Sequence, residues 1–141
     1  MTMNELAQHI IAVDNKNDVV ITNLKLQKVM YFLLKKLAND PSIDDYSIEE
    51  IYDIPFLVWR YGPVVESIYE KYKSFGSAPI VESFVENTKF ASLNDEIIHL
   101  SKRNVFDLVS ESHREPFWQN HEADINGWRS NVAYSVDDIK G

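Results

Sequence analysis

The sequence contains no cysteine, and only four of its 141 residues are glycine. The absence of cysteine excludes disulfides, thiolate zinc sites and cysteine nucleophiles, and it is typical of a protein from a reducing compartment. With glycine only at positions 62, 76, 127 and 141, neither a P-loop nor the glycine-rich dinucleotide-binding motif can be assembled. Nucleotide enzymes that hold phosphate in those two ways are therefore excluded.

Basic residues and long apolar runs are also scarce. Fourteen lysine and arginine residues face 22 acidic ones, which gives a net charge of −8. A molecule with this charge repels phosphate backbones unless its lysines cluster on one face, which disfavours nucleic acid as a partner. No apolar run reaches the length of a transmembrane helix, and the polar residues within the first thirteen interrupt any signal-peptide core. We therefore expect a cytoplasmic protein without a membrane-spanning segment.

The residues that are present suit a folded domain. Hydrophobic side chains make up 45% of the chain, and a chain of this length buries roughly two thirds of its unfolded surface. No repeat, low-complexity stretch or shift in composition divides it. We expect a single domain over residues 1–141 that is mainly α-helical, with a minor two-stranded β element.

Capping signals predict the first two helices. Thr2 and Glu5 have the spacing of a capping box ahead of a short amphipathic helix. Thr22 or Asn23 can cap a second helix, and Pro41 ends it, because proline cannot continue the helical hydrogen bonds. The broad apolar stripe of this second helix predicts a central, buried position, and its members are Leu26, Val29, Met30, Phe32, Leu33 and Leu37.

The middle of the chain predicts a small sheet and a helix between its strands. Residues 56–59 and 79–85 are apolar runs rich in strand formers, so we expect them to pair. Pro63 has the position of the first residue of a helix that Gly76 ends. Residues 42–53 have the spacing of a brief helical turn.

The last third of the chain predicts further helices. Ser92, with Asp95 three residues later, is expected to cap one long helix that continues through Leu108. Pro116 bounds the next segment, and residues 135–138 can start a final short helix.

Few residues have a pattern that points to catalysis or metal binding. The four histidines lack the spacing of a helical metal pair, and no serine lies in a glycine-flanked nucleophile elbow. A small hydrolase that uses His113, Glu122 and Asp124 is the least supported alternative, because acidic runs are far more often solvated faces. We expect no enzyme activity, no cofactor and no metal.

Two segments carry unusual residue combinations. Residues 23–28 hold asparagine, glutamine and lysine, which are DNA-reading types, but their leucines place much of that helix in a core. Residues 59–63 combine aromatic side chains with a cation and a turn into the next segment. Trp59 and Tyr61 are either core anchors of this corner or aromatic anchors of an interface, and both readings stay open.

Three segments together resemble a known family. Residues 22–31 read TNLKLQKVMY, residues 59–65 read WRYGPVV, and Ser112-His113 is followed by Glu115 and Trp118. This order is similar to that of the Panacea domain family, also known as the SocA-like antitoxin domain, which overlaps the phage-associated GepA proteins. In that family a TNLKLQKLLY helix precedes an AWxYGPV corner, and a TH pair follows with an acidic residue and a tryptophan. The resemblance extends from about residue 4 to the end of the chain.

The resemblance implies an antitoxin of a toxin–antitoxin module. Such proteins neutralise a cognate toxin, encoded by an adjacent gene, by direct protein binding, and the resemblance implies no catalysis. The alternative is a phage- or prophage-associated DNA-binding regulator. The family-motif positions serve either as scaffold or as interface, and they are Asn23, Lys25, Gln27, Lys28, Tyr31, Trp59, Arg60, Tyr61, Gly62, Pro63, His113 and Trp118.

Overall fold

The second helix organises the fold. The computed structural model describes residues 1–40 and 48–141, and these form eight α-helices and one two-stranded antiparallel sheet. The mainly α-helical fold with a minor β element, as expected from the sequence, is confirmed. The helices are α1 (Met3–Lys16), α2 (Asn23–Asn39), α3 (Ile48–Ile51), α4 (Glu66–Tyr72), α5 (Asn94–Ser101), α6 (Val105–His113), α7 (Pro116–His121) and α8 (Val136–Lys140).

Local capping explains where α1, α2 and α8 begin. The side chain of Thr2 accepts a hydrogen bond from the Glu5 amide, and that of Thr22 accepts one from the Lys25 amide. Ser135 and Asp138 form a complete capping box at α8. Helix α2 ends at Asn39, since Asp40 is extended and precedes a proline, which disfavours helical backbone.

Helix α2 is central because its apolar residues extend around most of its surface. It packs against α1, α5, α6, α8 and the sheet. Tyr31 lies at its middle with its ring edge against Phe56 and Tyr134, at centroid distances of 5.4 and 5.5 Å. The predicted central, buried position of this helix is therefore confirmed.

The sheet differs from the one predicted. Strands β1 (Leu57–Trp59) and β2 (Gly62–Val64) form a hairpin in which Trp59 pairs with Gly62. The prediction that residues 79–85 pair with β1 is wrong, because the nearer segment reaches β1 through a two-residue turn and residues 79–85 form no strand. The prediction that Pro63 begins a helix is also wrong. Pro63 lies in β2 opposite Val58, and α4 begins at Glu66.

The predicted long helix from Ser92 to Leu108 is two helices. Helix α5 begins at Asn94 without a side-chain cap, and Asn104 caps α6 by accepting a hydrogen bond from the Phe106 amide at 2.8 Å. The Lys25 amine bonds the Ser101 and Arg103 carbonyls at 2.7 and 2.5 Å. These carbonyls flank the break between the helices, so a distant side chain satisfies the backbone there.

The chain near the C-terminus completes the surroundings of the hairpin. Residues 128–134 run beside β1, where Val58 donates to the Val132 carbonyl and Arg60 to the Trp128 carbonyl, both at 2.9 Å. The predicted turn within residues 42–53 is present as α3, and its part before Ile48 lies outside the described residues. Over residues 1–40 and 48–141, no helix has the length and apolar character needed to cross a membrane.

Candidate protein-binding site

Four of the five motif side chains of α2 are buried, and the fifth, Lys25, is half-buried. Gln27, Lys28 and Tyr31 have no exposed surface, and Asn23 is 4% exposed. Gln27 accepts a hydrogen bond from the Val65 amide at 2.8 Å. These side chains join α2 to the hairpin and to the helices around it.

Lys28 is a buried cation that faces the hairpin. Its amine donates to the Pro63 carbonyl at 2.9 Å, and no carboxylate of the described residues pairs with it. Burial lowers the pKa of Lys28 to about 7, because the charged amine has lost its hydration. A protonated and a neutral form of Lys28 are therefore close in free energy near neutral pH.

Gly62 lets the hairpin approach Lys28. Its φ is +102°, and a Cβ atom at this position would lie 2.5 Å from Ser112 Oγ and 2.9 Å from Lys28 Cε. A side chain here would be strained and would also collide with both neighbours. The close packing of β2 on α2 and α6 thus requires glycine.

The third motif holds the other side of the hairpin. The His113 ring stacks on Trp118 at a centroid distance of 3.9 Å. His113 Nε2 lies 2.8 Å from the Arg60 carbonyl, and since a carbonyl only accepts, this nitrogen carries the proton. Burial lowers the pKa of His113, although its bond to Arg60 acts in the opposite direction. The ring is therefore a neutral hydrogen-bond donor in the folded protein near pH 7.

Four side chains each bind one backbone carbonyl of the hairpin, and three of them belong to motif positions. The four bonds are Lys28 Nζ to the Pro63 oxygen at 2.9 Å, His113 Nε2 to the Arg60 oxygen at 2.8 Å, Trp118 Nε1 to the Trp59 oxygen at 2.9 Å, and Ser130 Oγ to the Val58 oxygen at 2.5 Å. Arg60 is exposed and donates to the Gly127 carbonyl, which fixes the turn from outside. The structure thus brings the three motifs together around one hairpin.

Tyr31 links α2 to the third motif. Its hydroxyl donates to Glu115 at 2.5 Å, and Glu115 also pairs with Lys35 at 3.2 Å. Burial, together with the adjacent carboxylate, raises the pKa of Tyr31 far above its usual range. This tyrosine is consequently a permanent hydrogen-bond donor inside the protein.

Two of the three residues considered for hydrolysis, His113 and Asp124, have other partners, and the third, Glu122, acts on His113 electrostatically. Asp124 pairs with His121 at 2.9 Å, whereas His113 is engaged by the Arg60 carbonyl and the Trp118 ring. Within the described part of the chain, no three acidic or histidine side chains cluster closely enough to hold a metal ion.

Exposed aromatic side chains form a groove beside the tip of the hairpin. Tyr61, Phe106 and Trp128 are 48%, 64% and 42% exposed, and with Tyr69 they line a groove of about 450 Å³. Trp128 is at this place because residues 128–134 follow β1. Large exposed apolar side chains that share one concave surface are a mark of protein-binding sites. We call this surface, defined by Tyr61, Tyr69, Phe106 and Trp128, the aromatic groove.

Sequence reasoning identified Tyr61 but missed the other walls of the groove. Phe106 lies off the apolar stripe of its predicted helix, and an off-stripe phenylalanine is a signal of exposure. Trp128 follows Gly127 in a polar stretch, which is a signal of an exposed turn. Trp59 is buried, and its ring lies 4.5 Å from the Arg129 guanidinium.

No protein-family model, curated protein or solved structure matches this chain. The similarity to the Panacea domain family therefore stays a prediction, and it depends on the three motifs.

Proposed function

We propose that this protein is an antitoxin of the Panacea type that binds a protein toxin directly, and that the aromatic groove is its contact surface. The observation that supports a binding role is the shared exposure of Tyr61, Phe106 and Trp128 on one concave surface. Exposed aromatic residues supply much of the energy of protein interfaces. The three-motif resemblance supplies the class of partner.

The buried motif residues support separate roles, in which they position the hairpin and the exposed groove residues contact the partner. Gln27, Lys28 and Trp118 are inaccessible to a partner in the folded state and bind the backbone of the hairpin region. Their effect on toxin binding is therefore indirect, through the position of Tyr61 at the tip of the hairpin. The direct contacts belong to the aromatic groove.

The DNA-binding alternative requires polar side chains that reach base edges. In the segment considered for this role, Asn23, Gln27 and Lys28 are buried, and the Lys25 amine bonds two backbone carbonyls. A promoter fragment bound with steep salt dependence would nevertheless favour that alternative over ours.

The test is co-expression with the product of the adjacent gene. We expect that product to arrest growth, and this protein to restore growth and to co-purify with it. Phe106→Ser and Tyr61→Ser should each weaken the complex about 30-fold, the loss typical of truncating an aromatic anchor worth about 2 kcal/mol.

A control separates loss of contact from loss of fold. Val85 is 87% exposed and does not line the groove, so Val85→Ser should neutralise the toxin as the wild type does. Circular dichroism should show all three variants folded. If the two groove variants neutralise normally, the groove is not the contact surface. If no toxicity and no complex are found, the antitoxin proposal fails.

A further inference from the structure

Residues 79–87 cross the surface without forming a helix, a turn or a bend. Both ends of this run are held by hydrogen bonds to distant parts of the chain. The Ile80 amide donates to the Ile21 carbonyl at 2.8 Å, and the Asn87 amide donates to His9 Nδ1 at 2.9 Å. The course of the backbone between these two bonds is therefore fixed at each end.

The backbone between the two bonds has no hydrogen-bond partner. In residues 81–86, no N–H or C=O group bonds to another described residue. Val81, Ser83 and Val85 are exposed, whereas Phe84 packs partly against the core. Alternate residues of a strand point to opposite sides in this way. We call residues 81–86 the open segment, because it runs as a strand does but lacks a neighbouring strand.

The outward side of the open segment is apolar. Val81 and Val85 are 72% and 87% exposed, and valine is among the residues that favour strands. An exposed edge of this kind is a template for pairing with another chain. An extended partner laid beside it would bond the free N–H and C=O groups and would cover both valines with cross-strand neighbours.

The charges beside the open segment determine which kind of strand fits. Glu82 is exposed and forms no ion pair with any described residue. Glu86 pairs with the exposed Lys16 at 3.1 Å, and a surface pair contributes little, so a partner can replace that lysine. Opposite charges stabilise a strand pair and like charges destabilise it. A basic strand is therefore favoured, whereas two copies of this chain would bring together two sets of glutamates and two charges of −8.

We propose that the open segment binds an extended segment of another protein by β-strand addition, and that this partner segment alternates β-branched apolar residues with lysine or arginine. The apolar residues pack on Val81 and Val85, and the basic ones lie opposite Glu82 and Glu86. None of the residues of the open segment lines the aromatic groove. This is a second binding surface, and it does not depend on the proposed contact with a toxin.

The probe is the peptide acetyl-Lys-Val-Thr-Thr-Lys-Val-amide. Antiparallel pairing places its valines opposite Val85 and Val81 and its lysines opposite Glu86 and Glu82. The full chain, uniformly labelled with ¹⁵N, is titrated with this peptide and, separately, with acetyl-Glu-Val-Thr-Thr-Glu-Val-amide. We expect the basic peptide to shift the backbone amide signals of residues 81–86 saturably, and to bind at least tenfold more tightly than the acidic one.

Methylation of the peptide backbone distinguishes strand addition from contact through side chains alone. A strand bonds each neighbour through the N–H groups of alternate residues. Two versions of the basic peptide are therefore compared, one N-methylated at its first, third and fifth residues and the other at its second, fourth and sixth. We expect one version to bind at least tenfold more weakly than the parent peptide and the other to bind within threefold of it. Any other result would overturn strand addition.

Protein variants assign the effect to the open segment. Val85→Ser and Glu82→Gln should each weaken binding of the basic peptide about threefold, the loss expected from one cross-strand pair. Glu50→Gln removes the same charge from an exposed position on α3 and should bind as the wild type does. Circular dichroism should show all three variants folded.

Three outcomes contradict the inference. They are equal affinity for the acidic peptide, unmoved amide signals of residues 81–86, and a concentration-dependent dimer in sedimentation that Val85→Ser abolishes, which would favour pairing of two copies instead. Toxin neutralisation enters none of these measurements. A failure of the antitoxin proposal and a failure of this one are therefore distinguishable.

Discussion

Replacement of Lys28 by methionine is expected to make the protein more stable near pH 7 and to remove a rise in stability between pH 7 and pH 9. Lys28 is fully buried, and among the described residues its amine has one hydrogen-bond partner, the Pro63 carbonyl. Methionine keeps most of the aliphatic volume but cannot carry charge. The variant therefore isolates the contribution of the buried amine.

The size of the effect follows from the pKa. The folded protein holds the pKa of Lys28 at about 7, and an unfolded chain gives lysine about 10.4. Between these values the unfolded state binds a proton that the folded state has released, so stability rises with pH, by up to about 1.4 kcal/mol per pH unit. From pH 7 to pH 9 the wild type should gain about 2 kcal/mol from this group, and below pH 7 its contribution should level off.

The difference in stability between Lys28→Met and the wild type also depends on the lost hydrogen bond to the Pro63 carbonyl. Leaving that carbonyl without a partner costs about 2 kcal/mol, whereas removal of the titrating amine relieves roughly 4 kcal/mol at pH 7 and 2 kcal/mol at pH 9. We expect the methionine variant to be about 2 kcal/mol more stable than the wild type at pH 7 and nearly equal to it at pH 9.

Urea denaturation followed by tryptophan fluorescence at the two pH values measures this difference. Lys89→Met replaces an exposed lysine and should keep the wild-type pH dependence. If Lys28→Met and the wild type rise in parallel from pH 7 to pH 9, the buried amine does not titrate in this range and the reasoning is wrong.

Three further substitutions, two at glycines and one at a buried carboxyl, are tested by the same urea denaturation. Gly62→Ala should lower the free energy of unfolding by at least about 2 kcal/mol, because a positive φ is strained for alanine and its Cβ would collide with Ser112. Gly76→Ala, at φ +58° with open space around it, should lower it by about 1 kcal/mol. Equal losses of stability in the two variants would argue against the collision. Asp14→Asn should stabilise the protein by about 2 kcal/mol at pH 7 and have little effect at pH 4. Burial raises the pKa of this carboxyl to about 6, although Ser101 and Lys25 act in the opposite direction, so the folded protein holds an unfavourable buried charge at pH 7 and a neutral carboxyl at pH 4. A variant that is less stable than the wild type at pH 7 would contradict this.

The elements that the sequence predicts correctly have their determinants close together in the chain. Thr2, Thr22 and Ser135 each cap a helix through an amide within three residues. The apolar stripe of α2 likewise predicts its burial, because a helix with so broad an apolar surface must be covered.

The wrong predictions of secondary structure fall where contacts with residues distant in the sequence determine the backbone conformation. The one local signal between α5 and α6 is the Asn104 cap, since residues 102–104 contain neither glycine nor proline. The Lys25 amine that binds the carbonyls there lies 76 and 78 residues away from Ser101 and Arg103. The sequence pattern does not predict the hairpin, because its turn, Arg60-Tyr61, lacks the usual asparagine or glycine. Its geometry depends on Gly62 after the turn, and on contacts with α2 and α6.

The exposed aromatic residues of the groove could not be separated from core residues by type alone. The rings of Trp59 and Trp128 contact each other, with centroids 5.7 Å apart, yet Trp59 is 2% exposed and Trp128 is 42% exposed. Which of the two is covered depends on how residues 128–134 lie against β1, a contact between segments about 70 residues apart.

Under the proposed function, this arrangement would let one scaffold bind different partners. Lys28, His113 and Trp118 bind three backbone carbonyls of one hairpin, so they specify the hairpin's position whatever side chain stands at its tip. Phe106, which is 64% exposed, makes no such bond through its side chain to any described residue, and exposed positions of this kind tolerate substitution with little effect on stability. Partner choice can therefore change through the groove while the buried motifs stay the same. If this division is right, Phe106→Ser changes toxin affinity at unchanged stability, whereas substitutions at His113 reduce both.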